Sequence, residues 1–281
     1  MSLTDTYKLK NGVEIPVVGF GTWQSSEEDA EQSVIWALEA GYRHIDTASA
    51  YKNEAGVGRG LKKSGLNRED VFVTTKLGNN DHGYEEAKQA IQDSLEKLDT
   101  DYIDLYIIHW PNPKKFRDNW KEMNAQSWRA MEEAVEAGKI RALGVSNFHP
   151  HHIDALMETA KIEPTLNQIL LNPSAMQDEV VKYNQAHNIV SEAYSPLGTG
   201  KIFEVDELKE LAEKYDKSIA QLVLKWSLQH GFLPLPKSVH EKRIHENADI
   251  FDFEIEDADM KTIDGLKGTA GEAPDPDNVS F

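Results

Sequence analysis

Along the chain, short runs of apolar and β-branched residues alternate with longer stretches in which apolar residues return every three to four positions. The opening signal differs: Tyr7-Lys-Leu-Lys-Asn11-Gly12-Val-Glu-Ile15 sets Asn-Gly between two short alternating runs, which predicts a two-stranded hairpin with a tight turn. Strand-length runs follow at Val18–Gly21, His44–Ala48, Phe72–Lys76, Ile103–Trp110, Ala142–Ser146, Leu166–Ile169, Val190–Ser195 and Leu233–Pro236. Each is succeeded by a helical pattern. Ala87, Ile91, Leu95 and Leu98 fall on one face of a helix after the third run, and Trp128, Met131 and Val135 do so after the fourth. Gly41 and Gly138 stand where helices should stop, and Asp206 and Ser218 where later ones could be capped.

Eight successive βα units in 281 residues predict a single α/β domain over 1–281, a (β/α)₈ barrel whose N-terminal hairpin closes its bottom. The tail, about residues 265–281, is expected near the catalytic mouth. A doubly wound open sheet competes on alternation alone, but its dinucleotide fingerprint is missing. Gly56-Val-Gly58-Arg-Gly60 has the wrong spacing and sits within a predicted helix, and Gly19-Phe-Gly21-Thr-Trp-Gln fails at its sixth position. No P-loop motif occurs.

Composition narrows the partners. With 30 Lys and Arg against 48 Asp and Glu, the formal charge is −18, which opposes binding to nucleic acid or to anionic lipid. Hydrophobic residues at 40% suffice for a core. The absence of cysteine removes disulfides, thiolate metal sites and cysteine nucleophiles together, and fits a reducing, cytoplasmic setting. Neither a signal peptide nor a membrane-spanning run is expected.

In a barrel of this kind, chemistry gathers at the C-terminal ends of the strands. Asp46, Lys76 and His109 end three consecutive predicted strands, and Tyr51 follows Asp46 by five positions. Singly, each has an ordinary structural alternative: a capping carboxylate, a packing phenol, a solvated lysine, a core histidine. Together they form a device that protonates an oxyanion. Asp46 would hold Lys76 charged, the ammonium would ease the Tyr51 phenol below its usual pKa of about 10, and His109 would orient a carbonyl oxygen.

These residues lie in ordered motifs: Gly19-Phe-Gly-Thr-Trp23, Gly41-Tyr-Arg-His-Ile-Asp46, Tyr51-Lys-Asn-Glu54, Thr75-Lys76-Leu, Asp101 to Pro111, Gly144-Val-Ser-Asn147, Leu166-Asn-Gln168, Tyr194-Ser-Pro-Leu197 and Pro236-Lys-Ser-Val239. Over nearly its whole length the chain resembles the aldo-keto reductase superfamily, and is similar to bacterial members that reduce small aldehydes, ketones and diketo sugar acids. The resemblance implies an NADPH-dependent carbonyl reductase, commonly a monomer, with Tyr51 as general acid. It implies that Ser146, Asn147 and Gln168 bind the nicotinamide amide and that Tyr194 stacks on its ring. Ser195, Pro196, Leu197, Gly198 and Thr199 correspond to the pyrophosphate loop, and Gly21, Thr22 and Asp46 complete the cofactor floor. Lys237, Ser238, Val239 and Arg243 would hold the 2′-phosphate, with Glu246 and Asn247 at the adenine.

Trp23 and Trp110 resemble substrate-pocket walls beside Tyr51 and His109. Two departures stand out: Gly78 replaces a frequent tryptophan, which implies a wider or reshaped pocket, and Leu170-Leu171-Asn172-Pro173 replaces a more frequent Glu-Tyr-His-Pro. His149-Pro-His151-His152 reads as a helix start with proline in its first turn, and no metal site is expected. Two other functions compete: a cofactor-sensing regulatory barrel, and a Schiff-base aldolase using Lys76.

Overall fold

The computed structural model describes residues 1–281. A hairpin of β1 (Thr6–Lys8) and β2 (Glu14–Pro16) precedes eight parallel strands in sequential order: β3 (Phe20–Gly21), β4 (His44–Asp46), β5 (Phe72–Leu77), β6 (Ile103–Ile108), β7 (Ile140–Ser146), β8 (Leu166–Leu170), β9 (Val190–Tyr194) and β10 (Leu233–Pro234). The ring closes through Gly19 N–H donating to the Pro234 carbonyl at 3.1 Å and Gly21 N–H to the Pro236 carbonyl at 3.0 Å. β3 and β10 are shorter than their apolar runs suggested. Pro234 and Pro236 have no N–H to return, so the closing bonds run one way only.

The hairpin does close the bottom. Leu9 and Ile15 are buried in one cluster with Phe72, Leu166 and Leu233, the first residues of β5, β8 and β10. With that end plugged, the barrel is open to ligands only at the strands' C-terminal ends.

Ten α-helices, α1 (Glu27–Glu39), α2 (Glu54–Lys63), α3 (Tyr84–Leu98), α4 (Trp120–Glu136), α5 (Pro150–Met157), α6 (Asp178–Ala186), α7 (Asp206–Lys214), α8 (Ile219–Gln229), α9 (Glu241–Ala248) and α10 (Asp257–Asp264), complete the fold. Ala87, Ile91, Leu95 and Leu98 are all buried on α3, as their spacing requires. Ser218 caps α8, its Oγ accepting from Gln221 N–H at 3.2 Å while Gln221 Oε1 accepts from Ser218 N–H at 3.0 Å. Asp206 does not cap α7. Val205 occupies that position and the Asp206 carboxylate pairs with Lys209 instead.

The glycines of Gly56-Val-Gly58-Arg-Gly60 serve packing. A Cβ on Gly56 would collide with the Glu27 carbonyl of α1, and one on Gly58 would stand 2.6 Å from the Leu98 carbonyl of α3. Alanine gains about 1 kcal/mol of helix propensity over glycine, but backbone overlap of this kind costs about 1–3 kcal/mol or more. Gly56→Ala should therefore lower the denaturant midpoint of unfolding. An unchanged or raised midpoint would show that α1 and α2 are less tightly apposed.

Candidate active site

The ends of β4 and β5 place a buried cation at the centre of the mouth. The Lys76 side chain, fully buried, directs Nζ to Asp46 Oδ1 at 2.7 Å, the Thr47 carbonyl at 2.8 Å and the Tyr51 hydroxyl at 3.4 Å. Lys76 is held in this aim from behind as well, since Ser49 Oγ donates to its carbonyl at 3.0 Å. Burial opposes the ammonium most strongly, but the Asp46 charge and hydrogen bond, joined by Tyr51 and Glu192, together outweigh it and hold Lys76 above the usual lysine value. Tyr51 departs from expectation: burial pushes its phenol up, and Lys76 offsets this only in part. Low dielectric acts on the phenolate more strongly than one cation shared with Asp46 relieves it.

His109 follows β6, and its ring stands edge-on to that of Tyr51, centroids 5.8 Å apart. Burial, with Lys76 adding to it, lowers His109 to about 3, so the imidazole is neutral. Its carbonyl accepts from Asn147 Nδ2 at 3.1 Å, and Asn147 Oδ1 accepts from the Tyr194 hydroxyl at 2.8 Å. Asn147 holds this bridging pose in the left-handed region, φ 59°, which asparagine tolerates better than most residues. Ser146 Oγ donates to the Gln168 carbonyl at 2.7 Å, a bond that ties β7 to β8. The expected amide-binding set is thus assembled on one rim.

Gln168 Nε2 donates to Asp46 Oδ2 at 2.8 Å and to Glu192 Oε2 at 2.7 Å. Glu192, fully buried on β9, escaped sequence reasoning. Thr22 is also sealed in, its Oγ1 donating to the Asp46 carbonyl at 2.9 Å, which joins the chain just past β3 to the end of β4.

After β9, Ser195 and Thr199 both take left-handed backbone, φ 46° and 51°, and flank Pro196, Leu197 and Gly198. Gly198 N–H is used within this turn, donating to the Ser195 carbonyl at 3.0 Å. The unusual Asn172 supports the loop: Nδ2 donates to the Ser195 carbonyl at 3.2 Å while Oδ1 accepts from Ser174 and Ala175 N–H at 2.9 and 3.2 Å. Lys237 is half-buried, Ser238 buried and Val239 half-buried just beyond β10. Arg243 and Glu246 lie on α9, with Asn247 buried beside them. Burial pushes the Lys237 ammonium down, and neither it nor Arg243 joins an ion pair, in a protein with 48 carboxylate side chains.

Residues 17–267 match the model of the aldo/keto reductase family. The chain belongs to this family. It is 47% identical over 281 residues to a glyoxal reductase of Bacillus subtilis (strain 168), covering 100% of this chain and 99% of that protein. It is 42% identical over 272 residues to a methylglyoxal reductase of Escherichia coli (strain K12), covering 96% of each. A solved structure of a Bombyx mori aldo-keto reductase in complex with NADP superposes with a TM-score of 0.87 at 36% identity, over 96% of this chain and 94% of that one.

On the other rim of this aldo-keto reductase, Trp23 is exposed and Trp110 half-buried, the latter edge-on to Phe281 with centroids 5.1 Å apart. The end of the tail packs against this rim: the Phe281 carbonyl accepts from Lys114 N–H at 2.8 Å and the Val279 carbonyl from Arg117 Nη2 at 2.6 Å. The space opened at Gly78 is partly filled, because a Cβ there would stand 2.6 Å from Asp81 Oδ2 and 3.2 Å from Ser49 Oγ. Asp81 is half-buried there, and burial pushes its carboxyl up.

His151 and His152 converge with Asp277 of the tail, each Nε2 2.9 Å from one carboxylate oxygen, and Asn112 Nδ2 donates to Asp277 Oδ1 at 2.8 Å. His152 Nδ1 accepts from His149 N–H at 3.0 Å. Burial lowers His152 to about 4, so its single ring proton resides on Nε2 and faces Asp277. Both ring nitrogens of His152 are thus engaged, one by Asp277 and one by the His149 backbone. The cluster latches the tail, a role no spacing rule reveals.

Truncating Asp46 to alanine would leave Lys76 buried without its counter-charge. That loss typically costs about 3–5 kcal/mol, so Asp46→Ala should unfold at distinctly lower denaturant than the parent protein. An unchanged midpoint would mean that the pair contributes nothing to the fold.

Proposed function

We propose that this reductase converts small dicarbonyls of the glyoxal and methylglyoxal type to hydroxycarbonyls with NADPH, and that Tyr51 donates the proton. The observation that carries this is the buried Lys76 ammonium between Asp46 and the Tyr51 hydroxyl.

The residues present suit the dinucleotide. Gln168 has both amide hydrogens committed to carboxyl groups, which leaves Oε1 to accept from an amide N–H of the ligand. Asn147 and Tyr194 flank that position, and Lys237 and Arg243 are uncommitted cations beside the start of α9, where phosphate is favoured. NADPH, when bound, supplies the hydride. The protein supplies orientation and the proton. His109, neutral at all working pH values, can donate one hydrogen bond to the carbonyl oxygen and so aim it at Tyr51. As negative charge grows on that oxygen, Tyr51 releases its proton, and Lys76 stabilises the phenolate left behind. The raised Tyr51 pKa keeps the acid loaded through the neutral range.

The aldolase alternative fails on the same geometry. A Schiff base needs a neutral amine, whereas Asp46 holds Lys76 charged. A purely regulatory role leaves four assembled catalytic positions without purpose. The small-substrate preference is supported by the glyoxal reductase and methylglyoxal reductase relatives.

Tyr51→Phe should reduce NADPH-dependent turnover of methylglyoxal by about 10²–10⁴-fold, the usual worth of a positioned acid, with little change in the Kd for NADPH. Turnover surviving in this variant would overturn the acid assignment. Lys237→Ala and Arg243→Ala should raise the KM for NADPH more than that for NADH. Equal effects on both cofactors would argue against contact with the 2′-phosphate.

A further inference from the structure

Glu192 is a fully buried carboxyl group at the floor of the mouth, and nothing in the reaction described above uses it. Its Oε2 accepts from Gln168 Nε2 at 2.7 Å, while its Oε1 has no hydrogen-bond partner and lies 3.7 Å from His44 Nε2. The facing groups are few. β4 contributes His44 and Asp46, β5 contributes Lys76, β8 contributes Gln168, and Tyr51 stands above Lys76, while β10 pairs Leu233 against Glu192 with no titratable side chain.

The charges among these groups balance without Glu192. Lys76 is the one cation and Asp46 its counter-ion, and His44, lowered to about 3 by burial, is neutral. A second anion here would lie in low dielectric with no cation of its own. The amide of Gln168 sits with one nitrogen between two carboxyl groups, a position an amide oxygen could not share with the Asp46 charge.

We propose that Glu192 is a positioning residue that carries a proton: neutral beneath Gln168, it locks that amide's orientation and keeps the buried network from acquiring a second negative charge, so that Tyr51 stays able to give up its proton. Burial first, and the Asp46 charge second, push Glu192 up to about 8, in keeping with this assignment. Ionising Glu192 would raise the Tyr51 phenol further, since its charge acts on Tyr51 in that direction. The link to Tyr51 rests on the carbonyl-reductase function proposed above, whereas the proton on Glu192 does not.

The experiment compares the parent protein with Glu192→Gln, which keeps the shape and cannot ionise. A carboxyl that holds its proton to about 8 in the fold, but loses it near its ordinary 4.5 when unfolded, contributes stability that is complete below 4.5 and lost as pH rises to about 8. The melting temperature of Glu192→Gln minus that of the parent should therefore grow across this window and then level off. A difference independent of pH would overturn the proton assignment. The same assignment requires the infrared carbonyl stretch of a protonated acid in the parent, fading above about pH 8, and its absence at neutral pH would overturn it even if the variant failed to fold.

In turnover, kcat for methylglyoxal with NADPH should fall in the parent to a lower plateau as pH rises through the Glu192 pKa, and that alkaline limb should vanish in Glu192→Gln with the KM for NADPH little affected. An identical alkaline limb in both proteins would overturn the effect on Tyr51. Absence of turnover in both, with the stability signature present, would refute the reductase function and the link to Tyr51 while supporting the proton on Glu192.

Discussion

The structure depends on one ion pair. Lys76 is wholly buried, and a lone ammonium there would shed its proton or unfold the barrel mouth. Asp46 prevents both. At the effective dielectric typical of proteins, two charges this close attract by roughly 4 kcal/mol or more, and the Thr47 carbonyl adds a further acceptor at 2.8 Å. Because Asp46 ends β4 and Lys76 lies in β5, the pair also pins the register of neighbouring strands. Around it the mouth is assembled in layers: Gln168 and Glu192 below, Tyr51 and His109 above, and the Asn147–Tyr194 bridge to one side.

Charge acts here on two scales. A formal charge of −18 keeps polyanions away from the surface at large. Lys237–Arg243 contains three cations and one carboxylate, and its exposed and half-buried cations are not consumed by ion pairs. The acidic surroundings sharpen this local reversal, since a small phosphorylated ligand gains there what it would lose anywhere else. The tail latch on His151, His152 and Asn112 sets the opposite wall and holds Phe281 against Trp110.

Much of this was legible in the sequence because barrel chemistry sits at strand ends. Alternating apolar runs located the strands, and the polar residues that close them, Asp46, Lys76 and His109, could be picked out by position alone. The resemblance to a known family supplied the cofactor rim, whose residues are individually ordinary. What escaped notice did so for physical reasons. Glu192 is an acid at alternate spacing within a strand, the pattern of a solvent-facing residue, yet here that face points into the barrel. The Asp277 latch joins residues more than a hundred positions apart, and only the folded chain brings them together. The Tyr51 acidity is set by burial more than by pairing with Lys76, and burial is not written in the spacing of the residues.

The central claim is that Asp46 and Lys76 act as one unit in proton delivery. It is tested most directly by a double-mutant cycle on kcat for NADPH-dependent methylglyoxal reduction, with Asp46→Ala, Lys76→Met and the double variant. Residues that act as a unit are strongly non-additive, so the double variant should lose little more activity than the worse single one. Losses that simply multiply would show two independent contributions and contradict the account.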